Sequence, residues 1–331
     1  MITTHAYEKE LERISRTRFI IFDGHALIYR AYHAFPELTS PEGLLVNAVY
    51  GFSRIMLTVI RDFQPAYIAV AFDHKGKTKR AAAFEQYKAH RPEMPDDLKL
   101  QIPLIKDLVT TLNIPTFEQE GIEADDLIGT IATLVTEQNT KITDAVDSIL
   151  TTVVSGDKDL LQLVNDDVSV WIPGNKWSKD TEYSLPEVVK KMGVEPKQVP
   201  DLKALMGDSS DNIPGVAGIG KVTAEKLVVA FGSVENLYQT IDAVTEGTAT
   251  HPLLKGAVLT KLIADKPMAY LSKELATIDT QVPVDFSLKK CVVTDYDKDK
   301  VANLLEKLNF RSLVQLLPSD AFQESVQTAL F

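Results

Sequence analysis

Nine acidic residues fall into five short groups along the chain, a pattern that suits divalent metal ions. The groups are Asp23; Asp73; Glu123, Asp125 and Asp126; Asp157 and Asp159; and Asp208 and Asp211. If they converge, each like-charge pair about 4 Å apart costs about 4 kcal/mol at an effective dielectric of about 20. Protonation relieves one or two pairs, but a larger cluster needs cations. Carboxylate oxygens without His or Cys ligands select Mg²⁺ or Mn²⁺ rather than Zn²⁺, and we expect Mg²⁺.

Two such ions about 4 Å apart suit reactions at phosphorus. One ion lowers the pKa of a bound water and the other stabilises the leaving oxygen, so the protein need not supply a nucleophile. The sequence shows no Ser–His–Asp or Cys–His arrangement, and the single Cys291 excludes a disulfide framework or a cysteine-rich zinc site. The acids therefore predict metal-dependent hydrolysis of a phosphate ester.

Each acidic group taken alone also has an ordinary structural interpretation. Residues 123–126 open a helical pattern, where acids favour the helix dipole and cap free N–H groups. The segments GDKD (156–159) and GDSSDNIPG (207–215) are rich in turn-forming residues. Only the combination of all five groups favours the metal site over these interpretations.

Short apolar segments that end in aspartate alternate with helical patterns in the first half of the chain. The predicted strands are 18–23, 67–73, 151–159 and 168–174, and the predicted helices between them are 46–62, 96–112 and 124–137. This alternation predicts an α/β fold with a mostly parallel sheet flanked by helices. Because ligands bind beyond the carboxyl ends of such strands, Asp23, Asp73 and Asp157 should meet there.

The pattern changes near residue 185 to short helical segments that end in glycine, which predicts a smaller and mainly helical second domain. These segments are LPEVVKKMG, VPDLKALMG, GKVTAEKLVVAFG and SVENLYQTI, followed by a strand-like CVVTDY (291–296) and a helix in DKDKVANLLEKLNF (297–310).

The net charge of −11 argues against nucleic acid as a partner only if the charge is evenly spread, since such binding depends on Lys and Arg. Residues 75–91 contain six basic side chains and one acid, so a basic face can coexist with the acidic total. The longest apolar run, near 55–60, is too short to span a membrane, and the first 17 residues do not resemble a signal peptide. We therefore expect a cytoplasmic protein without membrane contact.

Several longer motifs resemble one known family. They are FDG (22–24), AFD (71–73), YKAHRP (87–92), GIEADDLIGT (121–130), SGDKDLLQLV (155–164) and GDSSDNIPGVAGIGKVTAEKL (207–227). Together, and in this order, they resemble the 5′ nuclease domain of bacterial DNA polymerase I, a member of the flap endonuclease group. The resemblance extends from about residue 18 to about 314. It implies a structure-specific 5′ nuclease that acts as 5′–3′ exonuclease and flap endonuclease in DNA replication and repair, by two-metal-ion catalysis.

The resemblance also implies roles for the acids and the domains. Asp23, Asp73, Glu123, Asp125 and Asp126 would form one metal site, and Asp157, Asp159, Asp208 and Asp211 the second. The implied fold is a PIN-like 5′ nuclease core with a helical arch and a C-terminal helix–hairpin–helix domain. The implied divisions are an extension at 1–17, a core at 18–185 with the arch at about 74–112, and a helical domain at 186–331 with the hairpin motif at about 201–231.

Two basic or glycine-rich segments are the predicted DNA contacts. If residues 84–92 are helical, Lys88 and Arg91 share a face and Arg80 lies near it, where they would hold the scissile phosphate. Tyr87 would stack on an unpaired base, and Lys203 is a further implied contact. The glycine hairpin would bind duplex backbone through Gly218, Ile219, Gly220 and Lys221, with a K⁺ ion implied by the family. The implied partners are flap, nicked or 5′-ended DNA and a DNA polymerase.

Two other classes of function remain open on the sequence. The segment from Gly215 to Lys221 nearly matches the phosphate loop of an NTPase, but Val222 follows where that motif requires Ser or Thr. The residues before it are also turn-like, whereas such a loop follows an apolar strand. A module that binds DNA junctions without cutting shares the basic features but has no use for nine acids.

Overall fold

A six-stranded sheet forms the centre of the first half of the molecule. The structure is a computed structural model that describes residues 15–141, 148–174, 178–294 and 296–318. The strands are β1 (Thr17–Asp23), β2 (Tyr67–Ala71), β3 (Thr116–Phe117), β4 (Ile149–Val154), β5 (Val168–Ile172) and β6 (Thr181–Tyr183), in the sheet order β3-β2-β1-β4-β5-β6. The first five are parallel, and β6 pairs antiparallel with β5. The predicted α/β fold with a mostly parallel sheet is confirmed.

The central strands are buried on both faces, which explains their continuous apolar sequences. The side chains of Phe19, Ile20, Ile21 and Phe22 in β1 are inaccessible to solvent. Parallel strands need crossover helices that cover both faces of the sheet, so the central strands are shielded from water on both faces. Because these strands are parallel, the carboxyl ends of β1, β2 and β4 lie at the same edge of the sheet. Asp23 ends β1, and the loops after β2 and β4 carry Asp73 and Asp157.

The first half contains the three predicted helices and two that the sequence did not predict. They are α1 (Gly24–Ala34), α2 (Asn47–Phe63), α3 (Lys79–Ala83), α4 (Asp96–Thr111) and α5 (Ala124–Asn139). The two that were not predicted are α1 and α3. Asp23 caps α1, because its side chain accepts a hydrogen bond from the Ala26 N–H. The last residue of β1 thus also fixes the start of α1, and this short junction orients the Asp23 carboxylate.

The second half is helical, as predicted. Its helices are α6 (Leu185–Met192), α7 (Val199–Met206), α8 (Lys221–Phe231), α9 (Val234–Thr245), α10 (Gly256–Ala264), α11 (Lys266–Ala276), α12 (Lys298–Lys307) and α13 (Arg311–Val314). Gly193, Gly207 and Gly232, all with positive φ, follow α6, α7 and α8. In the described residues, no helix is long and apolar enough to cross a membrane.

Helices α12 and α13 return to the first half of the molecule. Val301, Leu305, Phe310 and Leu313 belong to the same buried cluster as the apolar face of α2. The ring of Phe310 lies 5.2 Å from that of Tyr50, at an interplanar angle of 70°. The sequence does not predict this contact. It predicts one boundary near residue 185 and places the helix after residue 297 in the second domain.

Two local predictions are wrong. Residues 84–91 form a series of turns rather than a helix, and Lys88 has φ +55°, so Lys88 and Arg91 do not share a helical face. No strand is present in the described residues of the strand-like run at 291–296: Cys291 ends a 3₁₀ turn and Val292 makes an isolated bridge to Tyr67. The short strands β3 and β6 have too few residues to give a periodic signal in the sequence. Residues 1–14, 142–147, 175–177, 295 and 319–331 lie outside the described residues.

Candidate active site

Three strand ends and one helix start bring four carboxylates to a single cavity. Asp23, Asp73, Asp125 and Asp157 line a cavity of about 1230 Å³ at the carboxyl edge of the sheet. Asp23 is the last residue of β1, Asp73 and Asp157 follow β2 and β4, and Asp125 lies in the first turn of α5. The predicted convergence at this edge is therefore present for these four residues.

Hydrogen bonds hold three of these carboxylates in place. Asp23 accepts from the hydroxyl of Ser155 at 2.6 Å, and Ser155 is fully buried. Asp73 accepts from the N–H of Ala124 at 2.8 Å, which ties the loop after β2 to the start of α5. Asp157 accepts from the N–H of Asp159 at 2.8 Å. These bonds position the three carboxylates at the cavity, and Asp23 uses both of its oxygens, since its Oδ1 also accepts from the Ala26 N–H.

Burial and mutual repulsion raise the pKa of several of these acids. Desolvation is the main cause for Asp23, whose pKa rises to about 7, with further contributions from Asp73 and Asp157. The pKa of Asp125 is also well above its usual range, because of burial first and of Asp157 and Asp23 next. Burial and the neighbouring Asp157 raise the pKa of Asp159 to about 7. A cluster in this state gains stability from any cation that enters it.

The remaining predicted ligands are joined to this cluster by basic side chains. The Lys88 ammonium lies 2.7 Å from Glu123 Oε2 and 3.6 Å from Asp211 Oδ2. Arg91 forms an ion pair with Asp211. Arg80 donates two parallel hydrogen bonds to Asp126, at 2.9 and 2.7 Å, and lies 3.6 Å from Glu123. The three predicted catalytic cations therefore neutralise acids of the site.

Lys203 occupies a place that differs from its predicted one on the DNA surface. The residue is 4% exposed, and its ammonium forms ion pairs with both Asp159 and Asp208. Burial opposes the charge, but the two carboxylates outweigh it and raise the pKa of Lys203 above its usual range. Lys203 thus balances the charge of the second predicted ligand group, and its burial leaves no surface for direct contact with duplex.

Tyr87 also differs from its predicted role. Its ring is buried against Ile213 and Leu275, and its hydroxyl lies 3.3 Å from Glu123 and 3.4 Å from Asp211. Base stacking requires an accessible ring face, which this position does not offer. Tyr87 instead fastens the turns at 84–91 to the loop that carries Asp211, helped by the hydrogen bond from the Lys88 N–H to the Asp211 carbonyl at 2.9 Å.

The carboxylate oxygens at this cavity are suitable ligands for divalent cations, although they are not arranged as a complete coordination shell. In the described part of the chain, no three His, Cys, Asp or Glu side chains are grouped so as to hold a metal ion. Glu123 Oε1, however, is buried without a hydrogen-bond partner, at a cost of about 1–3 kcal/mol for such a group. A cation that prefers oxygen ligands would satisfy this carboxylate oxygen and would also stabilise the charged form of the neighbouring aspartates, whose pKa is raised.

A glycine-rich hairpin connects α7 and α8 on the helical side. The loop turns at Gly215, which has φ +65° and where a Cβ would overlap the backbone of Gly207. Ala217 N–H donates to Asp265 at 2.7 Å, and the Gly218 carbonyl accepts from the Lys261 ammonium at 2.9 Å. The loop is therefore braced by side chains from α10 and from the start of α11.

The predicted hairpin contacts are not equivalent in the structure. Ile219 is 3% exposed and packs into the core, so only its backbone can reach a ligand. Gly220 precedes α8 as its N-cap, and Lys221 is exposed beside Glu225 at 3.4 Å. A K⁺ ion was implied for this hairpin, and the Gly218 carbonyl within it accepts a hydrogen bond from the Lys261 ammonium. Because α7 rather than a strand precedes the loop, the phosphate loop of an NTPase is excluded.

Comparison with known proteins assigns the chain to a family. The model for the 5′-3′ exonuclease N-terminal resolvase-like domain matches residues 18–193, and that for the 5′-3′ exonuclease C-terminal SAM fold matches residues 194–299. The chain belongs to the 5′-3′ exonuclease family. This family consists of nucleases, so membership places the chain among the hydrolases that act on phosphodiester bonds.

Curated relatives of this 5′-3′ exonuclease family member are bacterial DNA polymerases. DNA polymerase I of Caldicellulosiruptor bescii is 40% identical over 302 residues, which cover 91% of this chain and 33% of that protein. DNA polymerase I of Bacillus subtilis is 38% identical over 316 residues, covering 95% and 34%. The chain thus spans about a third of the length of the curated relatives it matches.

Solved structures of similar fold include two with bound DNA. The flap endonuclease of bacteriophage T5, in a complex with DNA and metal ions, has a TM-score of 0.60 at 21% identity and covers 94% of this chain and 98% of its own. The catalytic core of Rad2 with DNA substrate has a TM-score of 0.58 at 18% identity, covering 93% and 94%. At these identities the likeness is one of fold.

Sequence reasoning missed two side chains that shape the site. Ser155 holds Asp23, and His25 accepts a hydrogen bond from the Asp73 N–H at 3.0 Å. Both residues lie inside quoted motifs or next to them, in SGDKD and after FDG. A sequence motif indicates that a residue lies near the active site. Its hydrogen-bond partner on another strand can be identified only from the three-dimensional structure.

Proposed function

We propose that this chain hydrolyses phosphodiester bonds near the 5′ ends and flaps of DNA, leaving 5′-phosphate and 3′-hydroxyl ends. The single observation that carries the proposal is the convergence of Asp23, Asp73, Asp125 and Asp157 on one cavity, with the pKa of Asp23 and Asp125 raised by burial and repulsion. Family membership supports the reaction class, and the metal-bound and DNA-bound structures of similar fold support the chemistry.

The proposed ligands are all nine acids, in two groups. Asp23, Asp73, Glu123, Asp125 and Asp126 would hold one Mg²⁺, and Asp157, Asp159, Asp208 and Asp211 the other. Bound Mg²⁺, for which Mn²⁺ can substitute, would supply an activated water and would neutralise charge on the phosphate. Repulsion between the acids supports a shared cation site, since Asp125 is influenced by Asp157, Asp23 and Asp73, and Asp159 by Asp157 and Asp211.

Basic side chains give the cavity a second function, the binding of the scissile phosphate. Lys88 and Arg91 line the same cavity as the four carboxylates, and Lys75, Lys99 and Lys106 extend its basic surface. In the structure, Lys88 pairs with Glu123 and Arg91 with Asp211. A phosphate entering the cavity offers these cations a new anionic partner, and their contact with it would offset charge in the transition state. Arg80 is more firmly held, because its two bonds to Asp126 and a third to the Thr277 carbonyl use the fork of the guanidinium.

The proposed division of labour follows the two halves of the chain. Residues 18–185 would cut, with the segment at about 74–112 over the cavity, and residues 186–331 would hold duplex through the hairpin at about 201–231. Flap, nicked or 5′-ended DNA is the proposed substrate and the cytoplasm the proposed location. Because the curated relatives are DNA polymerases I, a DNA polymerase is the proposed protein partner.

A panel of labelled substrates tests the proposal. Flap, nicked, gapped and blunt duplexes of one sequence are incubated with the chain, with Mg²⁺ or with EDTA, and the products are sized and their ends identified. We expect short 5′-phosphorylated products from the flap and nicked substrates with Mg²⁺ alone. Binding without products under every condition would instead favour a junction-binding module.

A further inference from the structure

We propose that Lys261 is the built-in cation of the hairpin and takes the place of a bound K⁺ ion in holding a DNA phosphate. The proposal rests on the proposed function, since it needs the hairpin to contact duplex. It departs from the family expectation of a monovalent cation at this loop. Its basis is one contact, the hydrogen bond of 2.9 Å from the Lys261 ammonium to the Gly218 carbonyl.

The loop and Lys261 are shaped for each other. Gly218 has φ +75°, and a Cβ built there would overlap the Lys261 ammonium and the carbon next to it. The absence of a side chain at Gly218 therefore makes room for the end of the lysine. Lys261 comes from α10, more than 40 residues further along the chain, so the contact depends on tertiary packing rather than on the local sequence.

A second side chain fixes the same loop from the other side. Asp265 accepts from the Ala217 N–H at 2.7 Å, and Asp265 lies one helical turn beyond Lys261. The loop thus has its N–H bound by an anion and its next carbonyl bound by a cation. A K⁺ ion at the Gly218 oxygen would have to displace the ammonium or lie against it, and two cations at one carbonyl repel each other.

The ammonium retains the capacity to bind a ligand. A lysine has three N–H donors, and the Gly218 carbonyl uses one of them. The residue is exposed, and Gly220 next along the loop opens α8, whose first N–H groups have no acceptor within the helix. A backbone phosphate bound by the Lys261 ammonium would be held through its charge, a contact without sequence preference.

The test measures binding of the full chain to a labelled duplex in EDTA, which prevents cleavage, by fluorescence anisotropy. KCl, NaCl and choline chloride are compared at equal ionic strength, because choline is too large to enter a carbonyl site. We expect the wild-type dissociation constant to agree within about twofold in the three salts, since the counter-charge is part of the protein. A wild-type affinity more than about fivefold higher in KCl than in choline chloride overturns the inference.

Substitution provides the second arm. Lys261→Met should weaken binding several-fold in choline chloride, reduce the slope of log affinity against log salt by about 1, and recover part of the loss in KCl, where an ion can occupy the vacated carbonyl. Lys307→Met is the matched control, because its loss changes the net charge equally. Lys307 is exposed on α12, a helix that packs in the hydrophobic cluster of the first half and not beside the hairpin.

The outcomes separate this inference from the proposed function. Equal behaviour of Lys261→Met and Lys307→Met in all three salts overturns the role of Lys261. Lys261→Arg keeps the charge and should bind nearly as the wild type does without K⁺, whereas a loss equal to that of Lys261→Met contradicts the inference. Failure of the wild type to bind duplex in any salt overturns the proposed function as well.

Discussion

Individual carboxylates in the cavity have structural bonds as well as their proposed chemical role, and this decides which substitutions are informative. Asp73 caps the start of α5 through the Ala124 N–H, so Asp73→Ala removes a cap along with a charge. The amide of Asn keeps an acceptor oxygen but loses the charge that attracts a divalent ion. Asparagine substitutions at Asp73 and Asp157 therefore isolate the chemical role.

We predict that Asp73→Asn and Asp157→Asn each lower the cleavage rate of a 5′-flap substrate at least about 100-fold, a size typical of losing one preorganised electrostatic group. Binding of the same substrate should be unchanged or tighter, because a charge that repels phosphate is removed. Single-turnover cleavage and anisotropy on one labelled flap measure both quantities. Asp166→Asn, on an exposed loop at the amino end of β5, is the control. Near-normal cleavage in both site variants contradicts the ligand assignment.

Cys291 gives a prediction that tests the packing around the 3₁₀ turn. Burial raises the pKa of its thiol from 9.0 to about 12, and the side chain is inaccessible to solvent. Since the thiolate is the reactive form, the native chain should resist a thiol reagent at pH 8 and react with one equivalent after denaturation. Absorbance of the released chromophore follows both stages. Rapid reaction of the native chain would show that this turn opens readily.

The acids themselves could be predicted from the sequence, but their partners could not. Nine carboxylates in five groups were enough to predict a cation site at the carboxyl edge of a sheet. The ion pairs of Arg91 with Asp211 and of Lys88 with Glu123 join residues 120 and 35 positions apart. No periodicity connects such positions, and only the tertiary fold brings them together.

Among the elements, the hairpin between α7 and α8 depends on one glycine for its shape. Gly215→Ala should lower the free energy of unfolding by about 1–3 kcal/mol or more, because its positive φ strains any other residue and the new methyl would overlap the Gly207 backbone. Gly220→Ala is the matched substitution for stability, since nothing lies within 4 Å of a Cβ there. Urea denaturation followed by circular dichroism compares the two. Equal midpoints for both variants would show that the turn is not constrained as described.

Periodicity predicted the long helices α2, α4 and α5 and also the eight-residue α6 and α7, but it did not predict α1, which has 11 residues. The segment at 84–91 was predicted as a helix because its charges fit a helical spacing. It forms turns instead, because Tyr87 packs against Ile213 and the Lys88 N–H donates a hydrogen bond to the Asp211 carbonyl. Tertiary contacts outweigh the weak local preference of so short a segment.

At the scale of the whole molecule, the last described helices return to pack against the first half of the chain. Residues 298–314 belong to the second half in sequence but pack against α2 and α4 of the first. The sequence predicted α12 as a helix, but a helix's apolar face does not identify the surface that it covers. The hydrophobic periodicity of the sequence therefore predicts the helix α12 but not its packing against α2 and α4.

We predict that a chain ending at residue 297 is markedly less stable than one that includes α12 and α13. It loses Val301, Leu305, Phe310 and Leu313, each worth about 1.5–3 kcal/mol when fully buried, and it exposes part of α2. Thermal unfolding should show a midpoint lower by at least about 5 °C for the first half. Phe310→Ala should reproduce part of the loss, and Val229→Ala, 65% exposed on α8, should have little effect. An unchanged midpoint would contradict the packing described.

The most direct test of the account is Mn²⁺ binding to the full chain, measured by electron paramagnetic resonance in parallel with cleavage of a labelled 5′ flap. The account predicts that Mn²⁺ binds at the carboxyl edge of the sheet, that Asp157→Asn weakens the binding, and that cleavage appears only as the wild-type sites fill. The opposite result would be equal Mn²⁺ binding by wild type and Asp157→Asn, or flap cleavage at full rate in EDTA. Either would show that these carboxylates do not hold the ions that cut DNA.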